Sequence, residues 1–558
     1  MLTKKCARSA ESFEVTETDL AFYDRISPVF AGNKYLIPAP SLSPDERFRR
    51  RLAFRNQIYL YTRRSTRSGK TIFSIYPEDA QFPVWDNNEW WEDSWDPLEY
   101  GAAFDPSRSF FEQFEALRNR VPHFSRPGVN LENSEYSANG SNLKNCYLVF
   151  ATSGASDSMY GESIWYSKDC IDCTDTRNSE LCYDCVACVG CYNVQSSQYS
   201  ENCRDSYFLL NCRSCSDCFA CANLRRKRFC VFNEQLSEAE YRTYVSGLPL
   251  TSFRERTRLA AEAKAFWLSH PRSHAVFRQV EGASGNFVSH SRNVYDSYFI
   301  DGAEDVRFGY LLYSGTRDCY DSTIPGIDAE LIYESLMSGI HSRNLIGCYF
   351  CADGCSNIYY SHLCIGCSDC FGCVSLRKQR HCIFNQPYSP DEYQNKVAEI
   401  AGQMQARGEW GEFFPERMSS IPYNLSLAHR YFPLTKEDAL ALGVPWSETE
   451  PRPASHEGVP GDALADVFTG EEVPITVIST RSGRPFRITA EELRRYKQFG
   501  VPLPRLTYDE RMELRAKELG GVQLYPRKCA LSGKEVLSTF PPDSPWIIWD
   551  REEYERAF

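Results

Sequence analysis

From Leu131 the chain falls into rows of twelve residues: LENSEYSANGSN, LKNCYLVFATSG, ASDSMYGESIWY, SKDCIDCTDTRN, SELCYDCVACVG, CYNVQSSQYSEN, CRDSYFLLNCRS and CSDCFACANLRR. Position three is Asn or Asp in seven of the eight rows. Position four is Ser, Cys or Val, position five mostly aromatic or aliphatic, and positions one, seven and ten mostly small or aliphatic. A second run of eight rows begins near Gln279 with QVEGASGNFVSH and SRNVYDSYFIDG and ends with CSNIYYSHLCIG and CSDCFGCVSLRK, with a few one- or two-residue insertions between rows. Two such arrays specify a repeat architecture.

Inward positions three residues apart require the chain to turn about a quarter circle per triplet, so four triplets close one coil. Coils stack at roughly 4.8 Å, the spacing of hydrogen-bonded strands, and eight of them make a solenoid roughly 38 Å long. Asn and Asp suit the corners because their side chains bond nearby backbone and tolerate turn geometry. A coil of twenty-four residues with two similar halves is the competing geometry. The expected fold class is mainly β: two short β-solenoids of twelve-residue coils with helical caps, flanked by two degenerate ribbon-like α+β modules.

Of the 24 cysteines, 22 lie between Cys146 and Cys382. Three roles compete: packing, metal ligation and disulfides. Where Cys is missing from a column its place is taken by Ser, Val, Leu or Gly, as at Val194 and Leu331, and a metal site would not survive that replacement. Free Cys behaves as a compact apolar residue, which suits a narrow core. No metal is therefore expected and no cofactor. The alternative is Zn (or Fe), for which the candidates are Cys182, Cys185, Cys188, Cys191, Cys212, Cys215, Cys218, Cys221, Cys364, Cys367, Cys370 and Cys373. Pairs of Cys-x-x-Cys knuckles hold a tetrahedral ion only where loops let them converge.

The arrays end in near-identical segments, CSDCFACANLRRKRFCVFNEQLSEAEY from Cys215 and CSDCFGCVSLRKQRHCIFNQPYSPDEY from Cys367. Ser237 with Glu240, and Ser389 with Glu392, have capping-box spacing, so 238–267 and 390–407 are expected as helices that cover the open edge of each stack. Two basic corners, Arg225, Arg226, Lys227 and Arg228, and Arg377, Lys378 and Arg380, are either solvated faces or phosphate contacts. Tyr295, Tyr320, Tyr359 and Phe371 form an aromatic ladder, either packed under other elements or open to a partner.

The two ends of the chain also match each other. SGKTIFSIYPEDAQFPVWDNNEWW from Ser68 aligns with SGKEVLSTFPPDSPWIIWDREEYE from Ser532, and CARSAESFEVTETDLAFY from Cys6 with STRSGRPFRITAEELRRY from Ser479. Ser65-x-x-Ser68-Gly69-Lys70, Cys529-x-x-Ser532-Gly533-Lys534, Cys6-x-x-Ser9 and Ser479-x-x-Ser482-Gly483 look like zinc-ribbon knuckles whose cysteines have become serine. On these residues, and on the CFGCxxLRxKxxCIFNxxYSxxEY-type segment, the chain resembles a family of cysteine-rich bacterial proteins, chiefly from ultra-small uncultivated lineages. The family has no established activity, so the resemblance implies architecture only. Loss of the ribbon cysteines implies modules held by hydrogen bonds and by aromatics such as Trp85, Trp90, Trp91, Trp546 and Trp549. The coil geometry also resembles some insect antifreeze solenoids, but their exposed Thr ladder is missing here.

The formal charge of −12 argues against a surface given over to nucleic acid as a whole. No apolar run reaches the roughly 18 residues of a membrane span, and MLTKKCARSAESFEV has no apolar core of a secretory signal, so a cytoplasmic location is expected. No phosphate loop, dinucleotide fingerprint or hydrolase elbow appears. His381-Cys382 and His362-x-Cys364 are formal dyads only; in the first, adjacent residues of an extended chain face opposite sides. The expected division is 1–100, a ribbon-like module; 101–130, a connecting helix; 131–228, the first array; 229–278, a helical cap; 279–380, the second array; 381–445, a helical cap; 446–474, a Pro-, Gly- and acid-rich linker; and 475–558, a module copying the first. The expected function is a non-enzymatic scaffold or assembly subunit contacting protein partners or its own copies. Metal binding, and nucleic-acid or ribosome-associated binding through local basic patches, are the alternatives.

Overall fold

The computed structural model describes residues 2–336, 339–351, 353–448 and 457–558. The chain is mainly β and its centre is a β-solenoid. Through the first array parallel pairing advances by twelve residues per coil, from Gly128↔Gly140 through Thr174↔Val186 to Cys218↔Cys230. The twelve-residue coil is thus the unit, and the ladder starts at Gly128, slightly before Leu131.

The backbone shows how so small a coil closes. Every third residue is left-handed: Asn142, Asn145, Leu148 and Ala151, then Asp169, Asp172, Asp175 and Asn178, all have φ between 48° and 55°. This conformation costs an L-residue roughly 1–2 kcal/mol, least for Asn and Asp, which explains the Asn/Asp column. Corner amides also stack at the coil repeat, with Asn133 Nδ2 donating to Asn145 Oδ1 at 3.1 Å and Asn145 Nδ2 to Asp157 Oδ1 at 2.9 Å. The residue after each corner points inward. Cys182, Cys185, Cys188, Cys191 and Val194 follow one another there at 0–2 % exposure.

In the second array the step is thirteen residues at Glu304↔Arg317, Arg317↔Glu330, Glu330↔Arg343 and Arg343↔Ser356, and twelve again at Ser356↔Ser368. These insertions displace one row of the sequence reading. Ala329 and Ile332 face inward, fully buried, whereas Leu331 is a left-handed corner with φ 53°. Leu331 is therefore not a core substitute for cysteine, and Ile332 takes that role.

The repeated end segments close the stacks. Asn233 Oδ1 accepts from Ala222 N and Nδ2 donates to Ala222 O; Asn385 makes the same pair of bonds to Val374. Each amide side chain thereby stands in for the next strand's backbone. The chain then turns back as a short antiparallel strand, Glu234–Gln235 or Gln386–Pro387, and enters a helix through the expected capping box. The second helix is Pro390–Arg407. The first is interrupted near Pro249, giving Glu238–Ser246 and Phe253–Leu268. In the expected connecting region the helix is short, Phe110–Arg118. Of the expected linker, residues 449–456 lie outside the described residues, and Val459–Pro460 pairs with the strand Ile475–Ile478.

The two ends share the element order hairpin, helix, helix, hairpin, strand, helix, with an extra short hairpin, Val29–Phe30 with Asn33–Lys34, between the two helices of the N-terminal one. The docking of these ends is crossed. The helical part of the N-terminal segment packs on the second array, with Phe22 stacked on Tyr320 at 3.9 Å, and that of the C-terminal segment on the first, with Tyr496 edge-on to Tyr183 at 6.4 Å. The hairpins that follow reach the other array, Phe73 packing on Tyr136 at 4.4 Å and Asn286 Nδ2 donating to Thr539 at 3.0 Å.

Candidate functional site

Among the described residues no three His, Cys, Asp or Glu side chains are grouped so as to hold a metal ion. The described cysteines are all free thiols and all buried. Their hydrogens are directed at the coil's own backbone, as in Cys182 Sγ to Glu180 O at 3.6 Å and Cys185 Sγ to Tyr183 O at 3.5 Å. Burial pushes Cys146 up to about 11 and Cys319 up to about 12, which keeps these two thiols protonated, whereas hydrogen bonds from neighbouring thiols lower Cys215 and Cys367. Cys212, Cys215, Cys218 and Cys221, and Cys364, Cys367, Cys370 and Cys373, occupy the same inward columns at 0–1 % exposure. The two dyads do not form. Cys364 and Cys382 point into the coil, whereas the His362 ring lies outside it against Tyr349, and His381 is a corner residue with φ 53°.

The knuckle turns persist without cysteine pairs. Cys6 N, Ser65 N, Ser479 N and Cys529 N donate to the carbonyls of Glu11, Lys70, Arg484 and Lys534 at 2.8–2.9 Å. In three of them a carboxylate occupies the space between the turn and the next helix. Ser65 Oγ donates to Glu89 at 2.5 Å, Ser479 Oγ to Glu510 at 2.6 Å and Cys529 Sγ to Glu553 at 2.7 Å. Burial would raise Glu89 and Glu510, but bonds from Ser65 and Ser68, and from Ser479 and Ser482, hold both below the usual carboxylate value.

Sequence reasoning missed the charges that dock these ends. The helix Pro44–Leu52 carries Arg47, Arg49, Arg50 and Arg51, and all are buried. Arg47 pairs with Asp321 at 3.0 Å, Arg51 with Asp321 at 3.4 Å, and Arg51 Nε donates to Thr323 at 3.1 Å. The C-terminal helix Tyr508–Glu518 repeats the arrangement on the first array. Arg511 and Arg515 pair with Asp172 at 3.2 and 3.1 Å, and Arg515 Nε donates to Thr174 at 3.3 Å. The signal was present: Asp172-x-Thr174 and Asp321-x-Thr323 occupy the same columns of SKDCIDCT and TRDCYDST.

These contacts also place the sequence-predicted surface residues. Arg377 donates to the carbonyls of Trp91, Glu92 and Trp95 and lies over the Trp90 and Trp95 rings at 5.4 and 5.3 Å. Arg225, its counterpart in the first array, donates to Asn211 O at 2.5 Å. Arg226, Lys227, Arg228, Lys378 and Arg380 remain exposed, with Arg228 over Phe229 at 4.7 Å. Of the aromatic ladder only Tyr295 is exposed, while Tyr320, Tyr359 and Phe371 lie beneath the N-terminal segment and its neighbours.

The opening that these elements leave is a groove of about 1160 Å³ between the arrays. Its first wall carries Trp165, Arg177 and Arg213, the opposite wall His290, Asp301 and Tyr313, and the strand segment between them Arg272 and Arg278. Trp165 packs on Tyr313 at 4.9 Å and Tyr199 on Phe287 at 5.6 Å, which fixes the walls relative to each other. Two guanidinium groups share one carboxylate: Arg278 lies 3.1 Å and Arg213 3.8 Å from Glu201. Burial lowers Arg278; Glu201 offsets this, while Arg213 and Arg177 push it further down. Arg272 is 6 % exposed and no carboxylate pairs with it among the described ion pairs; it is caged by Tyr199, Trp546 and Phe540 at 4.2, 4.4 and 4.6 Å. No profile of a known protein family matches the chain, and neither do the characterised proteins or solved structures compared with it.

Proposed function

We propose that the protein is a non-catalytic binding scaffold: a rigid frame of two short solenoids, locked by the crossed docking of two degenerate ribbon-like end modules, that holds a ligand or partner between the arrays. The observation that carries this reading is the groove, a large concavity whose walls come from both arrays. Concave, largely preformed sites with a few converging polar groups are where proteins bind ligands. The buried cysteines, the arginines of Pro44–Leu52 and Tyr508–Glu518, and the aromatics Tyr320, Tyr359 and Phe371 are consumed in holding the frame. The resemblance to the cysteine-rich repeat family accords with this architecture and supplies no activity.

Native mass spectrometry of the chain purified from its own source should find a retained species, and Trp165→Ala should release it. Release of a chemically altered small molecule in excess over the chain would overturn the non-catalytic reading. A bare chain whose groove stays empty in the presence of its source's extract would overturn the binding reading.

A further inference from the structure

The groove exceeds the roughly 300–1,000 Å³ usual for a small-molecule pocket. Its volume fits a polymer segment better than one compact ligand. Among its lining residues, the buried side-chain atoms without a hydrogen bond are Trp165 Nε1, Arg213 Nε and Arg272 Nη1, and all three are donors. An occupant that matches such a wall is rich in acceptors. The charge leans the same way: the lining carries Arg177, Arg213, Arg225, Arg272 and Arg278 against Asp175, Asp301 and Glu555. Arg177 pairs with Asp175 and Asp301, while Arg213 and Arg278 share Glu201. Flat faces flank these cations, with Tyr166 65 % exposed beside Trp165. The net charge of −12 does not decide the matter, because charges beyond about 8 Å are largely screened at physiological salt.

Resting on the binding reading above, we propose that the groove holds a short stretch of single-stranded nucleic acid, with bases stacked on Trp165 and Tyr166 and phosphates on Arg213 and Arg278. Cationic grooves with aromatic platforms bind single strands in this way, largely without sequence preference. An acidic peptide would satisfy the arginines but supplies no flat groups for the exposed Tyr166 ring or the half-buried Trp165.

The test is fluorescence anisotropy of the full chain with labelled oligouridine and, in parallel, labelled poly-glutamate. Oligouridine should bind with a steep salt dependence, because phosphate contacts release counterions. Arg213→Gln and Arg278→Gln should each weaken it about fivefold or more and flatten the salt slope, and Trp165→Ala about tenfold. Arg226→Ala, at an exposed corner outside the groove, should leave it unchanged, and far-ultraviolet melting of every variant checks folding. Binding of poly-glutamate alone would overturn the nucleic-acid inference and keep the groove reading. Oligouridine binding unaffected by the groove variants but lost in Arg226→Ala would overturn it too. Binding of neither probe overturns the inference, and the mass measurement above then decides the groove reading separately.

Discussion

Replacing Asp321 with alanine should release the helix Pro44–Leu52 from the second array while leaving the coils stacked. Asp321 is fully buried between Arg47 and Arg51, which are 2 % and 0 % exposed. Removing it takes the nearest carboxylate from two guanidinium groups in a dry interface, leaving Arg47 with Glu334 at 4.0 Å and Arg51 with Thr323. Breaking one side of a buried pair costs about 3–5 kcal/mol. Amide exchange in Pro44–Leu52 should accelerate by two to three orders of magnitude, at about 1.4 kcal/mol per tenfold. Asp318→Ala is the control, because its 2.5 Å pair with Arg25 has side chains 21 % and 53 % exposed. Such a surface pair contributes under about 1 kcal/mol, so exchange there should change little. Asp172→Ala should act on Tyr508–Glu518 as Asp321→Ala acts on Pro44–Leu52. Equal effects of the Asp321 and Asp318 changes would refute the crossed docking by buried charge.

Acid should loosen the same interface by a second route. His123 and His362 are 0 % and 1 % exposed, with ring centroids 4.8 Å apart, stacked outside by Phe82 at 4.0 Å and Tyr349 at 4.3 Å. Burial, reinforced by Arg118, pushes His123 down to about 3; burial, His123 and Arg118 hold His362 well below its usual value. Both rings stay neutral when folded and protonate near pH 6.5 when unfolded. Over that interval the unfolded state binds more protons, so stability is complete above about pH 6.5 and falls as the pH drops. Each ring contributes up to about 1.4 kcal/mol per pH unit, together roughly 4–5 kcal/mol between pH 6.5 and 4.5. Asp184, pushed up to about 6 by burial, contributes with the opposite sign, so the comparison must be between variants. The His123→Phe/His362→Phe protein should lose less stability than the natural chain between pH 7 and pH 5 in denaturant melts. Parallel pH profiles would show that the pair does not titrate on unfolding.

The coil was legible because its chemistry repeats. A triplet of corner, inward and outward residue leaves the same mark at Asn145 and Cys146 as at Asp169 and Cys170. The end segments were legible as pairs, although the task of Asn233 and Asn385, replacing a strand's backbone bonds, needs three dimensions to see. Leu331 was misplaced because one inserted residue shifts every later column, and nothing local marks where the extra residue goes. The docking arginines failed for a different reason. A helix such as PDERFRRRL has a solvated pattern, and only the distant Asp321 and Glu334 make its burial affordable. The groove was not legible at all: Trp165, Arg213, Arg278 and Tyr313 meet only because two arrays far apart in sequence lie side by side.

The central claim is that the cysteines are the filling of a coil too narrow for larger side chains. Thiol labelling followed by mass spectrometry tests it most directly, on protein prepared without reductant or chelator. The account predicts a chain that carries no metal, labels negligibly while folded, and takes up 24 labels once unfolded. Stoichiometric zinc or iron in the folded protein, or labels missing in pairs after unfolding, would contradict it.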